Sequence, residues 1–221
     1  FSIEHARYMN DDLWKIGVWM DHKGAYKPIE KEFIDGEWAF FKKAWEQRRL
    51  YKGMKSMHWD SETETSLAKH ELEYKTVKDK SVFLKFRKEG TSNEYFVIWT
   101  TTPWTIPFNL AIMVNPELDY VKVKVDEEYW ILADALAGVF VSGLLGKKVQ
   151  VVEKFKGKEL EGQGYVHPLQ KEMEGVYQDL KKEGKNVHTI VLSEKYVDTS
   201  AGSGLVHCAP GCGPEDNEVG N

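Results

Sequence analysis

Tyr95-Phe96-Val97-Ile98-Trp99-Thr100-Thr101-Thr102-Pro103-Trp104-Thr105-Ile106-Pro107-Phe108-Asn109 is the stretch on which the reading of the fold turns. Residues 95–99 are aromatic or β-branched, the composition of a buried strand. Four threonines follow within six residues, and then Pro103 and Pro107 bar any continuation as a central strand. A strand end that projects hydroxyls beside a rigid turn holds its donors without having to order a loop, as a binding site requires. The plainer alternative is that threonine simply favours strands and the prolines end this one.

Outward from this stretch the pattern has a period of two. Val82, Leu84 and Phe86 alternate with Phe83, Lys85 and Arg87, and Val121, Val123 and Val125 alternate with Lys122 and Lys124, giving strands with one wet face. Further strands are expected at 94–100, 110–114, 129–133, 148–153, 187–193 and 203–207, and helices at 134–145 and 170–183. Strands and helices do not alternate regularly, which argues against a doubly wound sheet. The expected class is α+β: a β-barrel-like domain of short, mostly antiparallel strands with surrounding helices. Upstream, Ile34, Trp38, Phe41 and Trp45 form one apolar helical stripe with Lys42, Lys43, Glu46 and Gln47 on the other faces. Gly53 stands where a helix stop is expected. Burial of the stripe within its own chain is the expected reading; docking on a neighbouring domain or partner is the alternative. The change of texture near residue 80 divides the chain into a helical region, 1–80, and a β-rich domain, 81–221.

Composition narrows the function. The 221 residues are 42 % apolar and include eight Trp, enough for a real core. The net charge of −5 argues against capture of polyanions by bulk charge, the more so because residues 99–221 hold 12 basic and 18 acidic groups. No apolar run approaches the roughly 20 residues of a membrane span, and the first residues lack the features of a secretory signal. The missing initiator Met suggests a piece of a longer protein. Two cysteines, Cys208 and Cys212, exclude a disulfide scaffold and favour a reducing, cytoplasmic compartment. Phosphate-loop, GxGxxG and GxSxG motifs are absent. Lys154, Lys156 and Lys158 read either as phosphate contacts or as a solvated strand edge. The remaining histidines, His167 and His188 among them, read as surface or satisfied core residues.

A second stretch also exceeds what a scaffold needs: Gly202-Ser203-Gly204-Leu205-Val206-His207-Cys208-Ala209-Pro210-Gly211-Cys212-Gly213-Pro214-Glu215-Asp216. A short apolar strand delivers His207, a glycine-rich turn follows, and Pro214-Glu215-Asp216 begins a helix. Asp216 either complements the helix dipole or holds an ammonium group. His207, Cys208 and Cys212 are possible zinc ligands, yet neighbouring strand residues point to opposite faces, and no metal site is assigned.

Together the two stretches resemble the editing domain inserted into the catalytic domain of isoleucyl-tRNA synthetases, a class I family. The threonine-rich run, its continuation Leu110-Ala111-Ile112-Met113-Val114-Asn115-Pro116-Glu117, and Gly204 to Pro210 with Asp216 match the two signatures. Gly17-Val18-Trp19-Met20-Asp21 and the Trp-rich helix resemble the flanking connective region. Valyl and leucyl relatives usually carry Thr-Thr-Arg-Pro where this chain has Thr101-Thr102-Pro103-Trp104, and tend to lack the histidine at 207. Cys212 and Pro214 depart from the commoner residues, and Trp59-Asp60-Ser61-Glu62 lacks the paired cysteines of many relatives. The ATP-binding signatures are absent, Met54-Lys55-Ser56-Met57 being a chance echo of one.

The resemblance implies hydrolysis of mischarged valyl-tRNA(Ile) after transfer, with hydrolysis before transfer left open. It implies the tRNA(Ile) acceptor end and the rest of the synthetase chain as partners, a monomeric fragment, and no cofactor; ATP and Mg would serve only the full-length enzyme. One methylene in an apolar pocket is worth only about 1–3 kcal/mol, a limit for which isoleucyl enzymes are the standard illustration, so a second sieve is needed. In that reading Asp216 holds the α-ammonium, His207 is a steric wall or else a general base, and Thr102 and Asn109 orient water or ester. Thr100, Thr101, Trp99 and Trp104 shape the pocket around the terminal adenosine. The alternatives are a non-catalytic module that binds the acceptor end and a zinc-stabilised structural domain.

Overall fold

The computed structural model describes residues 1–183 and 186–220, and they form two compact units, Phe1–Met54 and Lys55–Asn221. The first holds helices α1 (Ser2–Lys15) and α2 (Lys31–Glu46). Neither helix buries a residue, so the expected burial of the aromatic stripe is not found: Trp38 is 69 % exposed and Trp45 68 %. The unit has too few elements to enclose both faces of an aromatic helix. Gly53 does lie past helix α2, and the residue that closes the helix is Arg48, in the left-handed conformation (φ 55°).

The second unit contains strands β1 (His58–Asp60) and β2 (Thr65–Leu67), a hairpin that the sequence reading did not anticipate. The compact units thus divide upstream of the texture change near residue 80. Then come β3 (Val82–Lys88), β4 (Glu94–Thr100), a 3-10 turn (Pro103–Phe108), β5 (Ala111–Val114), β6 (Asp119–Val125) and β7 (Glu128–Ala133). Next, α3 (Asp134–Ala137) runs into a wider π-helical stretch (Gly138–Leu144), followed by β8 (Gln150–Lys156) and β9 (Tyr165–Val166). The unit closes with α4 (Glu174–Lys182), β10 (Thr189–Leu192), β11 (Leu205–Cys208) and α5 (Pro214–Gly220).

Six strands form one sheet in the order β8-β6-β7-β4-β3-β9, and three form another in the order β10-β5-β11. Pairing is antiparallel except β4 with β7 and β10 with β5. The class is the expected mixture of short, mostly antiparallel strands and helices. The sheets stay open instead of closing into a barrel: β11 packs beside β4 but hydrogen-bonds only to β5.

The small sheet divides two cores. Ile112 and Val114 of β5 join Phe96, Ile98, Val121 and Ile131 in the main core, while Ala111 and Met113 on the opposite face pack with Val197 and Cys208. This is period-two alternation with both faces covered, which makes all four residues of β5 buried. Edge strand β8 is neutralised by ion pairs. Lys156 lies 3.0 Å from Asp119 and Lys154 2.6 Å from Asp134, so these two lysines are engaged with carboxylates.

Candidate functional site

At the end of β4, Thr100 turns the chain. Its buried hydroxyl oxygen accepts the Thr102 N–H at 3.0 Å and lies 3.2 Å from the Thr102 hydroxyl. Pro103 has no N–H to offer a neighbouring strand, and the backbone winds into the 3-10 turn, closed by Thr105 N–H on the Thr102 carbonyl (3.0 Å). Thr101, Thr102 and Trp104 are thereby presented to solvent, Trp104 with 69 % of its surface open. Trp99 is half-buried against Gly202, where any side chain would come within 3.0 Å of the indole.

Asn109 is in a different environment. Its side chain is completely buried, donating from Nδ2 to the Ala111 carbonyl (2.8 Å) and accepting the Tyr165 hydroxyl. Both polar ends serve the fold, so the structure lends no support to the expected role in orienting water.

Strand β11 carries the second signature. Gly204 feeds it at φ 75°, with its α-carbon so close to Ala133 that a methyl group there would sit 2.3 Å from the alanine Cβ. His207 pairs with Ile112 and Cys208 with Ala111, so the two side chains leave on opposite faces, as their adjacency predicts. They do not converge on a metal. Among the described residues, no group of three or more His, Cys, Asp or Glu side chains is arranged to hold one.

His207 is buried and meets the first signature through Thr105, a residue to which sequence reasoning assigned no role. The Thr105 hydroxyl donates to the Thr102 carbonyl at 2.8 Å and lies 2.9 Å from His207 Nε2. With its one hydrogen spent on that carbonyl, the hydroxyl accepts from Nε2, which fixes the neutral tautomer. Nδ1 is buried and has no partner among the described residues. Burial first, and the nearby His167 second, hold the His207 pKa below the usual imidazole value.

Asp216 lies in the first turn of α5 and is half-buried. One carboxylate oxygen accepts the Ala209 N–H at 3.2 Å, just past the end of β11, and its backbone carbonyl faces the Cys208 thiol. Burial raises its pKa, the Ala209 hydrogen bond offsets part of that rise, and neighbouring Glu215 adds to it. No cation pairs with it among the described residues, so it is a partly desolvated negative charge without a counter-ion. The Gly211–Glu215 turn beside it walls a cleft of about 600 Å³, whose other side includes Lys55, His58, Lys69 and Tyr74.

The structure therefore links Thr100, Thr102, Thr105 and His207 in one hydrogen-bonded chain, and sets Asp216 at the carboxyl end of β11, on the N–H of Ala209, two residues beyond His207. Asn109 stands apart. His167 and His188 are also buried. His167 is a satisfied core histidine, as expected; among the described residues neither ring nitrogen of His188 makes a well-formed hydrogen bond, though the Asn109 backbone lies near enough to raise its pKa slightly against the lowering by burial.

Comparison with known proteins gives a consistent result. The family described as tRNA synthetases class I (I, L, M and V) matches residues 1–165. The isoleucine–tRNA ligase of Pyrococcus furiosus is 47 % identical over 226 residues, covering all of this chain and 21 % of the ligase. That of Pyrococcus horikoshii is 46 % identical, again covering all of this chain and 21 % of the ligase. The chain thus spans about a fifth of the length of these curated relatives. Among solved structures, one described as the crystal structure of GlLeuRS-CP1 superposes with a TM-score of 0.50 at 15 % identity, over 63 % of this chain and 58 % of that one. At that identity it speaks for the fold alone.

Proposed function

Because the chain belongs to the class I tRNA synthetase family, we propose that its second unit hydrolyses valine from mischarged tRNA(Ile), with the acceptor end of the tRNA and the rest of the synthetase as its partners. The observation that carries this reading is Asp216, a half-buried carboxylate without a cation, beside the strand that presents His207. An α-ammonium group would supply the missing counter-charge by a charge-assisted hydrogen bond.

The ester is already activated, so catalysis asks for positioning more than for a strong base. The exposed Thr102 hydroxyl, backed by Thr100, is set to orient the attacking water. That water adds to the ester carbonyl, the bond to the ribose oxygen breaks, and its proton passes to that oxygen, freeing valine. Trp104 offers a flat face for the terminal base. His207 fits the wall better than the base: Nε2 is engaged by Thr105, and Nδ1 is sealed from water. The wall would admit valine and stop isoleucine, which is longer by one methylene.

Single-turnover deacylation in the full-length ligase tests the reading. Valyl-tRNA(Ile) should be cleaved and isoleucyl-tRNA(Ile) spared. Asp216→Ala should cut valyl-ester cleavage by about a hundredfold, the scale of losing a charged contact. His207→Ala should open the site to the isoleucyl ester; discrimination unchanged in that variant would discard the wall.

A further inference from the structure

Three acceptors leave the carboxyl end of the threonine-rich turn, and a single downstream segment takes all of them. His167 Nε2 lies 2.9 Å from the Ile106 carbonyl, and the Tyr177 hydroxyl donates to the Pro107 carbonyl at 2.8 Å. The Tyr165 hydroxyl donates to the side-chain oxygen of Asn109. All three donors are at least nine-tenths buried. The His167 tautomer is fixed too: Nδ1 accepts the Leu169 N–H at 3.0 Å, so Nε2 carries the hydrogen. Behind them His188 acts as a spacer, its ring stacked on His167 at 5.1 Å and met edge-on by Tyr177 at 4.4 Å.

The turn depends on such support. Pro103 and Pro107 contribute no N–H, and its outer residues Trp104 and Phe108 are exposed, so packing on that side does not fix its height. The hydrogen bonds to Ile106, Pro107 and Asn109 instead fix the turn from its inner end, and with it the directions of Thr102, Trp104 and Thr105. We infer that Tyr177 and His167 are positioning residues for ester hydrolysis: they hold the threonine-rich turn at reacting distance without touching the substrate. The inference rests on the reading above that this turn receives the ester.

The test uses the full-length ligase with valyl-tRNA(Ile). Tyr177→Phe deletes one oxygen and keeps the ring. It should lower kcat for deacylation about tenfold with KM within about twofold, since misplacement costs rate rather than capture. His167→Leu should behave alike. His167→Gln, whose amide can still donate to Ile106, should retain kcat within about threefold. Aminoacylation by the same preparations should be unchanged. A lowered melting midpoint with unchanged kcat in Tyr177→Phe is the mark of a merely structural role and overturns the inference, as does a rise in KM alone. If the unmutated ligase cleaves the ester and all the variants cleave it equally, this inference alone fails. If the unmutated ligase does not cleave it, the functional reading fails and takes the inference with it.

Discussion

The two signature segments solve the same problem in opposite ways. The threonine-rich turn puts its chemistry outside, with Thr101, Thr102 and Trp104 exposed, and hides its supports beneath. Strand β11 and its sequel do the reverse: His207 is buried, Asp216 is half-buried, and the backbone around them admits almost no side-chain atoms at Gly202 and Gly204. Hydroxyls and aromatic faces work well in water, so they can be displayed. Charge and shape selectivity need desolvation and stiffness, and those come from the core. Changes in the second segment should therefore disturb the fold itself, and changes in the first should disturb only what the fold presents.

The sharpest challenge to that contrast is Gly204→Ala. A methyl group on a left-handed backbone, 2.3 Å from Ala133, combines backbone strain with overpacking and should cost about 3 kcal/mol or more, read by denaturant titration. A cost below about 1 kcal/mol would mean that β11 yields easily and is no rigid wall.

Next in size is the response to acid. The pKa of His188 is pushed down to about 4 by burial, then by His167 and Lys181, and those of His167 and His207 are also lowered by burial. The unfolded chain binds protons near pH 6.5, where the folded chain does not, so the stability present above that pH drains away as the pH falls toward 4. The slope expected from each such histidine is at most about 1.4 kcal/mol per pH unit. A melting midpoint flat between pH 7 and 4.5 would show that these rings do not stay neutral in the folded state.

The smallest structural effect belongs to the displayed segment. Thr102→Ala should leave stability within about 0.5 kcal/mol, because the residue is exposed and its backbone carbonyl still receives Thr105. Deacylation should nevertheless fall, since the hydroxyl is lost. A large drop in stability would mean that this turn, too, is built into the core.

Much of this was legible in the chain, and the rest was hidden for identifiable reasons. The limits of β4 follow from Tyr95 to Trp99 and the prolines beyond, and the opposite orientation of His207 and Cys208 follows from strand alternation alone. Asn109 misled because its partner Tyr165 lies 56 residues away, and nothing local distinguishes a displayed amide from a buried one. Thr105 could have been singled out as the one threonine of the run set between the two prolines, inside the turn, but its contact with His207 spans 102 residues. The open sheets were not foreseeable either, since closure depends on whether β11 bonds to β4 or merely lies beside it. The stripe on α2 shows the limit of periodicity: a 3.6-residue pattern identifies the helix face that should be covered, without saying by what.

The central place of β5 has a consequence for the birth of the protein. Its four apolar residues are complete by position 114, yet both flanking strands, β10 and β11, are supplied only by residues 189–192 and 205–208. On the ribosome, a sticky segment must therefore wait uncovered while some ninety further residues are synthesised. Long-range pairing of this kind slows folding, and the nascent chain is most open to aggregation or chaperone capture during that interval.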